Sequence, residues 1–325
     1  MHAVQLTAYG DPLEGLKYVD IAEPDAPGPN QVLIGVEFSP LNQSDLLLAR
    51  GIYGTRPALP TVIGNEGVGR VLAVGKGVDN VEVGDRVLAP LSSFTWRERM
   101  VISANGLFAL PADADPQQLA MLAINPPTAA LLLSEYVNLK PGEWVVQNSA
   151  NSAVGRWVIA FAKARGLKTA NIVRRPELVA ELEAIGADVV VVDSPNVSKE
   201  IKAAVGQANL RLALDGVSGP ASGVLASTLS PHGTLVSYAA MSASPISISP
   251  LEVIFKPLTV RGFWLGHPES AAKSAPAVED AAEMIASGRV QIPVAATYPL
   301  SSIKEAVAHA LRGGKILLQV AGSSN

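Results

Sequence analysis

The sequence predicts an α/β protein in which a doubly wound parallel sheet accompanies a β-rich part. From about residue 140, short apolar strands alternate with amphipathic helices, an order typical of a parallel sheet covered on both faces. Before about residue 120, segments such as QVLIGVEFSP alternate polar and apolar residues between glycine turns. This earlier pattern predicts a barrel or a strongly bent sheet.

The predicted parallel sheet follows from the order of its elements. Its strands are EWVVQN, KTANIVRR, DVVVVD, LRLALDGV, GTLVSY and LTVRGFWL. The accompanying helices are SAVGRWVIAFAKARG, PELVAELEAIG, SKEIKAAV, ASGVLASTL and KSAPAVEDAAEMIASG. Gly166 and Gly186 close the first two helices, and Pro176 suits the first turn of the second. The tail YPLSSIKEAVAHALRGGKILLQV predicts a helix and a strand that join either part.

The composition excludes several kinds of site. The 325 residues suffice for about two domains. Cysteine is absent, which excludes disulfides, thiolate nucleophiles, iron–sulfur clusters and thiolate-bound zinc. The four histidines, His2, His232, His267 and His309, contain no pair at the helical metal-binding spacing. We therefore expect no metal site.

Charge and hydropathy argue against nucleic acid and membranes as partners. The net charge is −4, from 25 basic and 29 acidic residues, and neither sign forms a block. The longest apolar stretch, LAMLAINPPTAALLL, is interrupted by Asn125, Pro126 and Pro127 and is too short to span a bilayer. The start, MHAVQLTAYG, lacks the pattern of a secretory signal or a transit peptide, so we expect a cytoplasmic protein.

The segment NSANSAVG, from Asn148 to Gly155, lies where the first strand of the predicted sheet meets its helix. A turn at this place binds the pyrophosphate of a dinucleotide at the helix N-terminus. Only the last glycine of the G-x-G-x-x-G pattern is present, because Ala150 and Ser152 occupy the first two places. Taken alone, the segment fits a packed strand–helix turn equally well.

Arg174 and Arg175 end the next predicted strand, where an NAD enzyme places an acidic residue against the ribose 2′-hydroxyl. Guanidinium groups instead bind a 2′-phosphate through charge-assisted hydrogen bonds. The alternative is a pair of solvated loop arginines. Their position after this turn favours NADPH as the cofactor.

Seven segments together resemble a known family. They are LNQSDLLLARGIYG, GNEGVGRVLAVG, TWRERM, AINPPTAALLL, VVQNSANSAVGRWVI, NIVRR and LTVRGFWL. In this order they resemble the zinc-free branch of the medium-chain dehydrogenase/reductases, and within it the mitochondrial-type 2-enoyl thioester reductases, which are NADPH-dependent trans-2-enoyl-CoA/ACP reductases. Asn65 stands where zinc alcohol dehydrogenases carry the histidine of a Gly-His-Glu metal site, a change typical of the zinc-free group.

The resemblance implies a GroES-like substrate domain over residues 1–122, completed by about 290–325, and a Rossmann NADPH-binding domain over residues 123–289. It also implies a homodimer. The implied cofactor contacts are Asn125, Asn151, Ser152, Ala153, Val154, Arg174, Arg175, Tyr238, Ala239, Ala240, Met241, Phe263, Trp264, Leu265 and Lys315. Two departures from the family, Ala153 for a frequent glycine and Pro176 for a polar residue, predict weaker phosphate binding.

The proton donor of the family falls on Tyr53, in RGIYGTRP. Reduction of an enoyl thioester requires a hydride at the β-carbon, a proton at the α-carbon and stabilisation of an enolate oxygen. A phenol with a pKa of about 10 is protonated at neutral pH and suits the last two tasks. Without the resemblance, a half-buried loop tyrosine is the simpler interpretation. We expect Asn42, Ser44 and Asp45 to orient the loop of Tyr53.

The predicted function is NADPH-dependent, zinc-independent reduction of the C2=C3 double bond of a 2-enoyl thioester on CoA or acyl-carrier protein. Two alternatives stay open. One is an NADPH:quinone or enal/enone oxidoreductase of the same superfamily, acting on a conjugated carbonyl. The other is a non-catalytic NADPH-binding protein. A serine hydrolase is disfavoured because the chain has no Gly-x-Ser-x-Gly motif.

Overall fold

The computed structural model describes residues 1–320, which form two units. The first unit contains Met1–Ile124 and the chain from Val278 onward, and the second contains Asn125–Ala277. The sequence predicts that the chain returns to the first unit near residue 290, whereas in the structure it returns at Val278. The last five residues of the predicted segment 290–325 lie outside the described residues.

The first unit is built mainly of strands. Its first segment contains β1 (His2–Leu6), α1 (Pro12–Gly15), β2 (Leu16–Asp20), β3 (Gln31–Leu41), α2 (Gln43–Ala49), β4 (Thr61–Val62), β5 (Val68–Val74), β6 (Arg86–Leu88), β7 (Arg99–Ser103) and α3 (Pro116–Leu119). One sheet has the order β2-β1-β4. The alternation of buried residues along β3 reflects its alternating sequence, since successive side chains of a strand point to opposite faces.

The second unit alternates strands and helices. It contains α4 (Asn125–Ser134), β8 (Trp144–Gln147), α5 (Ala153–Ala164), β9 (Lys168–Val173), α6 (Leu178–Ala184), β10 (Val189–Val192), α7 (Val197–Val205), β11 (Leu212–Asp215), α8 (Pro220–Thr228), β12 (Thr234–Ser237), α9 (Pro250–Phe255), β13 (Thr259–Gly262) and α10 (Pro268–Ala271). Its sheet has the order β10-β9-β8-β11-β12-β13, and every neighbouring pair is parallel.

Apolar side chains cover both faces of this parallel sheet. In β9, Ile172 belongs to a buried cluster with residues of α7 and α8, whereas the next residue, Val173, belongs to a cluster with residues of α5 and α6. Each buried side chain of this size stabilises the fold by about 1.5–3 kcal/mol. The predicted doubly wound sheet is therefore confirmed. Two boundaries differ: β9 ends before Arg174, and α6 begins at Leu178, after Pro176.

The C-terminal part of the chain returns to the first unit. It contains α11 (Ala275–Ala286), β14 (Val294–Pro299), α12 (Ile303–Arg312) and β15 (Lys315–Gln319). Strand β15 pairs with β14 and with β3, so that the second sheet has the order β14-β15-β3-β5-β6, with β7 also on β3. Gln118 exchanges hydrogen bonds of 2.8 and 2.9 Å with the backbone of Ile292. The C-terminal strand thus joins the β-rich part, one of the two predicted outcomes.

No helix within residues 1–320 is both long enough and apolar enough to cross a membrane.

Candidate functional site

The turn that follows β8 leads directly into the N-terminus of α5. Ser152 is the N-cap of α5, a helix of 12 residues, and its hydroxyl accepts a 3.1 Å hydrogen bond from the backbone N–H of Gly155. Asn151, Ser152, Ala153 and Val154 are half-buried, and they are the residues predicted to contact the cofactor. The positive end of the helix dipole lies at this turn.

Gly155 is required by the close approach of the turn to α5. A Cβ at this position would lie 2.5 Å from the carbonyl oxygen of Ala150, closer than any side chain tolerates. Ser149 has a positive φ of 51°, a conformation that is uncommon for serine. The one glycine retained from the dinucleotide pattern is therefore the one that helix packing demands.

A buried carboxylate braces the carboxyl ends of β8 and β11. Asp215 is fully buried and accepts hydrogen bonds from Asn148 Nδ2 at 2.7 Å and from the N–H groups of Val217 at 3.0 Å and Ser218 at 2.9 Å. The hydroxyl of Ser222 donates a further bond of 2.5 Å. These donors fix the edge of the sheet, because a buried carboxylate is tolerated only when it is hydrogen-bonded.

The Tyr238 hydroxyl lies at the same edge. It is buried against Gly216, where an added Cβ would come within 2.7 Å of the phenolic oxygen, and it forms no hydrogen bond of good geometry within residues 1–320. Burial raises the pKa of Tyr238; the neighbouring Ser152 hydroxyl lowers it and Asp215 raises it further. The Tyr238 hydroxyl thus lies beside Ser152, the N-cap residue of α5.

Arg174 and Arg175 are exposed directly after β9, next to β8 in the sheet. The Nε atom of Arg175 lies 3.4 Å from Oε1 of Glu177, and both side chains are more than half exposed. Such an exposed pair contributes little to stability. Both guanidinium groups are therefore accessible to an anion.

The other residues predicted to contact the cofactor lie in three segments of the second unit. Asn125 is buried as the first residue of α4. Ala239, Ala240 and Met241 follow β12, with Met241 55% exposed. Phe263, Trp264 and Leu265 follow β13; Trp264 is 36% exposed and Leu265 is buried. Because β12 and β13 are parallel neighbours, the last two segments leave the same edge of the sheet.

Tyr53 lies in the first unit, just beyond the C-terminus of α2. Gly51, with a φ of 75°, ends the helix, and the N–H of Ile52 donates a 3.1 Å hydrogen bond to the carbonyl of Leu47. Tyr53 is half-buried and packs against the apolar core of this unit. The position of its backbone is therefore set by α2.

The N-terminus of α2 is held by a buried polar cluster of Asn42, Asp45, Asn65, Glu66 and Lys315. Asp45 accepts hydrogen bonds from the N–H of Asn42 at 2.8 Å and from the N–H and side-chain amide of Asn65 at 3.0 and 2.9 Å. Asn42 donates to Glu66 at 2.8 Å and accepts from Lys315 Nζ at 2.7 Å. The Ser44 hydroxyl accepts a 3.2 Å hydrogen bond from the amide of Asn65. The orientation of the Tyr53 loop by Asn42, Ser44 and Asp45 stays a prediction.

Two carboxyls and one ammonium share this buried cluster. Burial raises the pKa of Asp45 to about 7, against hydrogen bonds from Asn42 and Asn65 and the charge of Lys315. Burial likewise raises the pKa of Glu66 to about 7, and Lys315 opposes the shift. Burial lowers the pKa of Lys315, although both carboxyls raise it. Burial thus favours the protonated form of both carboxyls, whereas the charge of Lys315 favours their ionised forms.

The structure places Lys315 where the sequence did not predict it. Its ammonium lies in the buried cluster, so its predicted contact with the cofactor stays a prediction. Within residues 1–320, no group of three or more His, Asp or Glu side chains is arranged to hold a metal ion. Asn65 turns its amide nitrogen toward Asp45, and an N–H donor does not ligate a cation.

Two family models match the chain. Residues 28–111 match the alcohol dehydrogenase GroES-like domain, and residues 153–283 match the zinc-binding dehydrogenase family. The mitochondrial enoyl-acyl-carrier-protein reductase of Caenorhabditis elegans is 38% identical over 271 residues, which cover 82% of this chain and 78% of the relative. The chain belongs to this reductase family. The resemblance to the medium-chain dehydrogenase/reductases, the GroES-like part and the Rossmann part are thereby confirmed.

Solved structures of this reductase family have the same fold. The mitochondrial 2-enoyl thioester reductase Etr1p/Etr2p heterodimer from Candida tropicalis is 28% identical with a TM-score of 0.86, covering 98% of this chain and 99% of that chain. The complex of Etr1p with NADP and crotonyl-CoA is also 28% identical, with a TM-score of 0.87 and the same coverage of both chains.

Proposed function

We propose that this chain reduces the C2=C3 double bond of 2-enoyl thioesters with NADPH and without a metal ion. Its membership of the reductase family gives the reaction class, and the family includes a protein solved with NADP and crotonyl-CoA. The observation that carries the choice of cofactor is the exposed Arg174–Arg175 pair beside the turn at the N-terminus of α5. A carboxylate at that position would repel a 2′-phosphate.

The residues of the second unit fit NADPH. The N-terminus of α5 offers backbone N–H groups to the pyrophosphate, and Arg174 and Arg175 offer guanidinium groups to the 2′-phosphate. The Tyr238 hydroxyl, buried beside Ser152, supplies a further polar contact at the same edge. Asn125 and the segments after β12 and β13 complete the proposed contacts. The bound cofactor supplies the hydride, which is accepted by the β-carbon of the substrate.

Tyr53 is the proposed proton donor. Negative charge develops on the thioester oxygen during reduction, and a phenol stabilises that charge by a hydrogen bond. The same hydroxyl then gives its proton to the α-carbon. The position of Tyr53 directly after α2, packed against the core of the first unit, supports this role, because proton transfer requires a donor held within hydrogen-bonding reach.

Metal-free catalysis is supported by the donor groups that surround Asn65. The amide nitrogen of Asn42 donates to Glu66 and that of Asn65 donates to Asp45, while the Lys315 ammonium donates to the amide oxygen of Asn42. The two amides satisfy the carboxyls with hydrogen-bond donors instead of a cation. A divalent ion would have to displace them.

The proposal is tested by measuring NADPH consumption with crotonyl-CoA, an enoyl-acyl-carrier protein, a simple enone and a quinone, in metal-free buffer and after chelation. We expect the thioesters to be reduced fastest, with no effect of the chelator. Faster reduction of the quinone or enone would support the oxidoreductase alternative instead. Binding of NADPH without turnover of any acceptor would identify a non-catalytic protein.

We also propose that the protein is a homodimer formed through β13. This strand lies at the edge of the parallel sheet with all four residues exposed, and an edge strand offers unpaired N–H and C=O groups. The neighbouring helix α9 buries none of its residues and exposes Leu251, Ile254 and Phe255 by 61%, 64% and 75%. Large apolar side chains exposed on α9 support an interface in this part of the chain.

The cytoplasmic location stays a proposal. The relative from Caenorhabditis elegans is named as mitochondrial. Fractionation of cells that produce the protein would decide between the two compartments.

A further inference from the structure

Arg156 is a buried cation in the first turn of α5. It is 4% exposed and follows Gly155 in the helix whose N-terminus faces the proposed pyrophosphate position. The N-terminus of a helix is its positive end, and cations are ordinarily disfavoured there by up to about 1 kcal/mol. Burial of the guanidinium adds to this cost. An anion close to the turn would offset both.

The contacts of Arg156 connect two segments of the proposed cofactor site. Its Nε donates a 3.2 Å hydrogen bond to the carbonyl of Asn151, within the turn. Its Nη2 donates to Oε1 of Glu181, in the first turn of α6. Helix α6 follows the loop of Arg174 and Arg175. One side chain therefore joins the turn to the helix after the arginine pair.

The exposures of the two partners differ. The Arg156 side chain is 5% exposed, whereas that of Glu181 is 41% exposed. Glu181 is the acidic partner of Arg156 within residues 1–320, and solvent screens its partly exposed charge. The hydrogen bond to Asn151 also directs that carbonyl toward the guanidinium, so that it does not oppose a phosphate oxygen.

We propose that Arg156 is a positioning residue for the dinucleotide pyrophosphate, and that Glu181 weakens cofactor binding by competing for its charge. This inference rests on the proposed NADPH-binding function and adds two residues to it. Arg156 holds the turn through its hydrogen bond to Asn151, and its positive charge favours a bound pyrophosphate. Glu181 sets how much of that charge acts on the ligand. Since the pyrophosphate is common to both cofactors, the effect applies equally to NADPH and NADH.

The deciding variant is Glu181→Gln. Competition between Glu181 and the cofactor for the charge of Arg156 and a purely structural link between α5 and α6 predict opposite changes in the Kd for the cofactor. Calorimetric titration of the purified protein gives the Kd for each cofactor. If Glu181 competes for the charge, its neutralisation lowers the Kd for NADPH and for NADH by about threefold or more. If the pair only braces the two helices, Glu181→Gln raises both Kd values, and the inference is overturned.

Arg156→Gln and Arg156→Lys complete the series. We expect Arg156→Gln to raise both Kd values about tenfold. Arg156→Lys should raise them less, since lysine keeps the positive charge but lacks the planar guanidinium group. Glu183→Gln, an exposed position of the same helix, is the matched control for a lost negative charge and should leave both Kd values within about twofold. Equal tightening in Glu183→Gln and Glu181→Gln would contradict a specific role of the pair.

Thermal unfolding supplies a readout that does not depend on activity. Glu181→Gln leaves a buried cation without its acidic partner, so the cofactor-free variant should unfold at a lower temperature than the wild type. Saturating NADPH should then raise the Tm of Glu181→Gln by more than it raises that of the wild type. An equal or smaller rise contradicts the inference. Absence of NADPH binding by the wild type would instead refute the proposed function.

Discussion

Nζ of Lys315 donates a 2.7 Å hydrogen bond to Oδ1 of Asn42, the residue that precedes α2. The amide of Asn42 donates in turn to Glu66. The ammonium and the carboxylate therefore interact through a side-chain amide that also begins the helix leading to Tyr53. Strand β15 and helix α2 are coupled by this one hydrogen bond, although they are far apart in sequence.

Lys315→Met is expected to destabilise the protein by about 3–5 kcal/mol, because it leaves two buried carboxyls without a cation. Urea unfolding measures the loss. Lys304→Met, at an exposed position of α12, is the control and should change the free energy of unfolding by less than about 0.5 kcal/mol. A Lys315→Met variant as stable as this control would show that the cluster does not depend on the ammonium.

Stability should fall as the pH rises from about 4 to about 7 through Asp45 and Glu66. Both pKa values are raised to about 7 in the folded state, above those of the unfolded chain, so the folded protein binds protons that the unfolded chain releases. The contribution of the two carboxyls to stability is complete below their pKa values in the unfolded chain. It is lost as the pH rises through their pKa values in the folded protein. Glu66→Gln should flatten this part of the profile of Tm against pH. An unchanged slope would assign the effect to other groups.

Tyr53→Phe should lower kcat on crotonyl-CoA by about 10²–10⁴-fold, the usual contribution of a positioned proton donor. The Kd for NADPH should not change, because the phenyl ring keeps the packing of the loop. Tyr18→Phe, at a position 39% exposed, serves as the control and should retain full activity. Equal rates for Tyr53→Phe and the wild type would remove Tyr53 from the mechanism.

Replacing both Arg174 and Arg175 by glutamine should raise the Kd for NADPH about a hundredfold, since two charge-assisted contacts with the 2′-phosphate are lost. The Kd for NADH, measured in the same titrations, should stay within about threefold of the wild-type value. A parallel loss for both cofactors would show that the pair does not recognise the 2′-phosphate.

Val260→Lys should convert the proposed dimer to a monomer, because it places a charge in the exposed edge strand β13. Light scattering after gel filtration gives the mass directly. Val83→Lys, at a position 60% exposed in the first unit, should leave the mass unchanged. A wild-type protein of monomer mass would refute the proposal before any variant is made.

The sequence predicted the parallel sheet well because its signals are local. The apolar run of β10 and the glycine that ends α5 are features of single segments, and the turn before α5 lies where the first βα unit requires it. Arg174 and Arg175 were found in the same way, by their distance from Gly155.

The contacts that the sequence did not reveal are those made across long separations. The hydrogen bond between Lys315 and Asn42 depends on the pairing of β15 with β3, which no local pattern predicts. A cation in the first turn of a helix is a local signal of an unusual role, and Arg156 is such a residue. Its partner Glu181 depends on how α5 and α6 pack, which no periodicity encodes.

The pairing of β15 with β3 constrains the order of events during synthesis. The second unit is one continuous segment and has all its strands as soon as residue 277 has left the ribosome. The first unit must wait for its last strand, which leaves residues 38–41 of β3 without their β15 partner in the meantime. In nascent chains halted before Lys315, the second unit should therefore be complete. The sheet of the first unit that lacks β15 should be prone to aggregate.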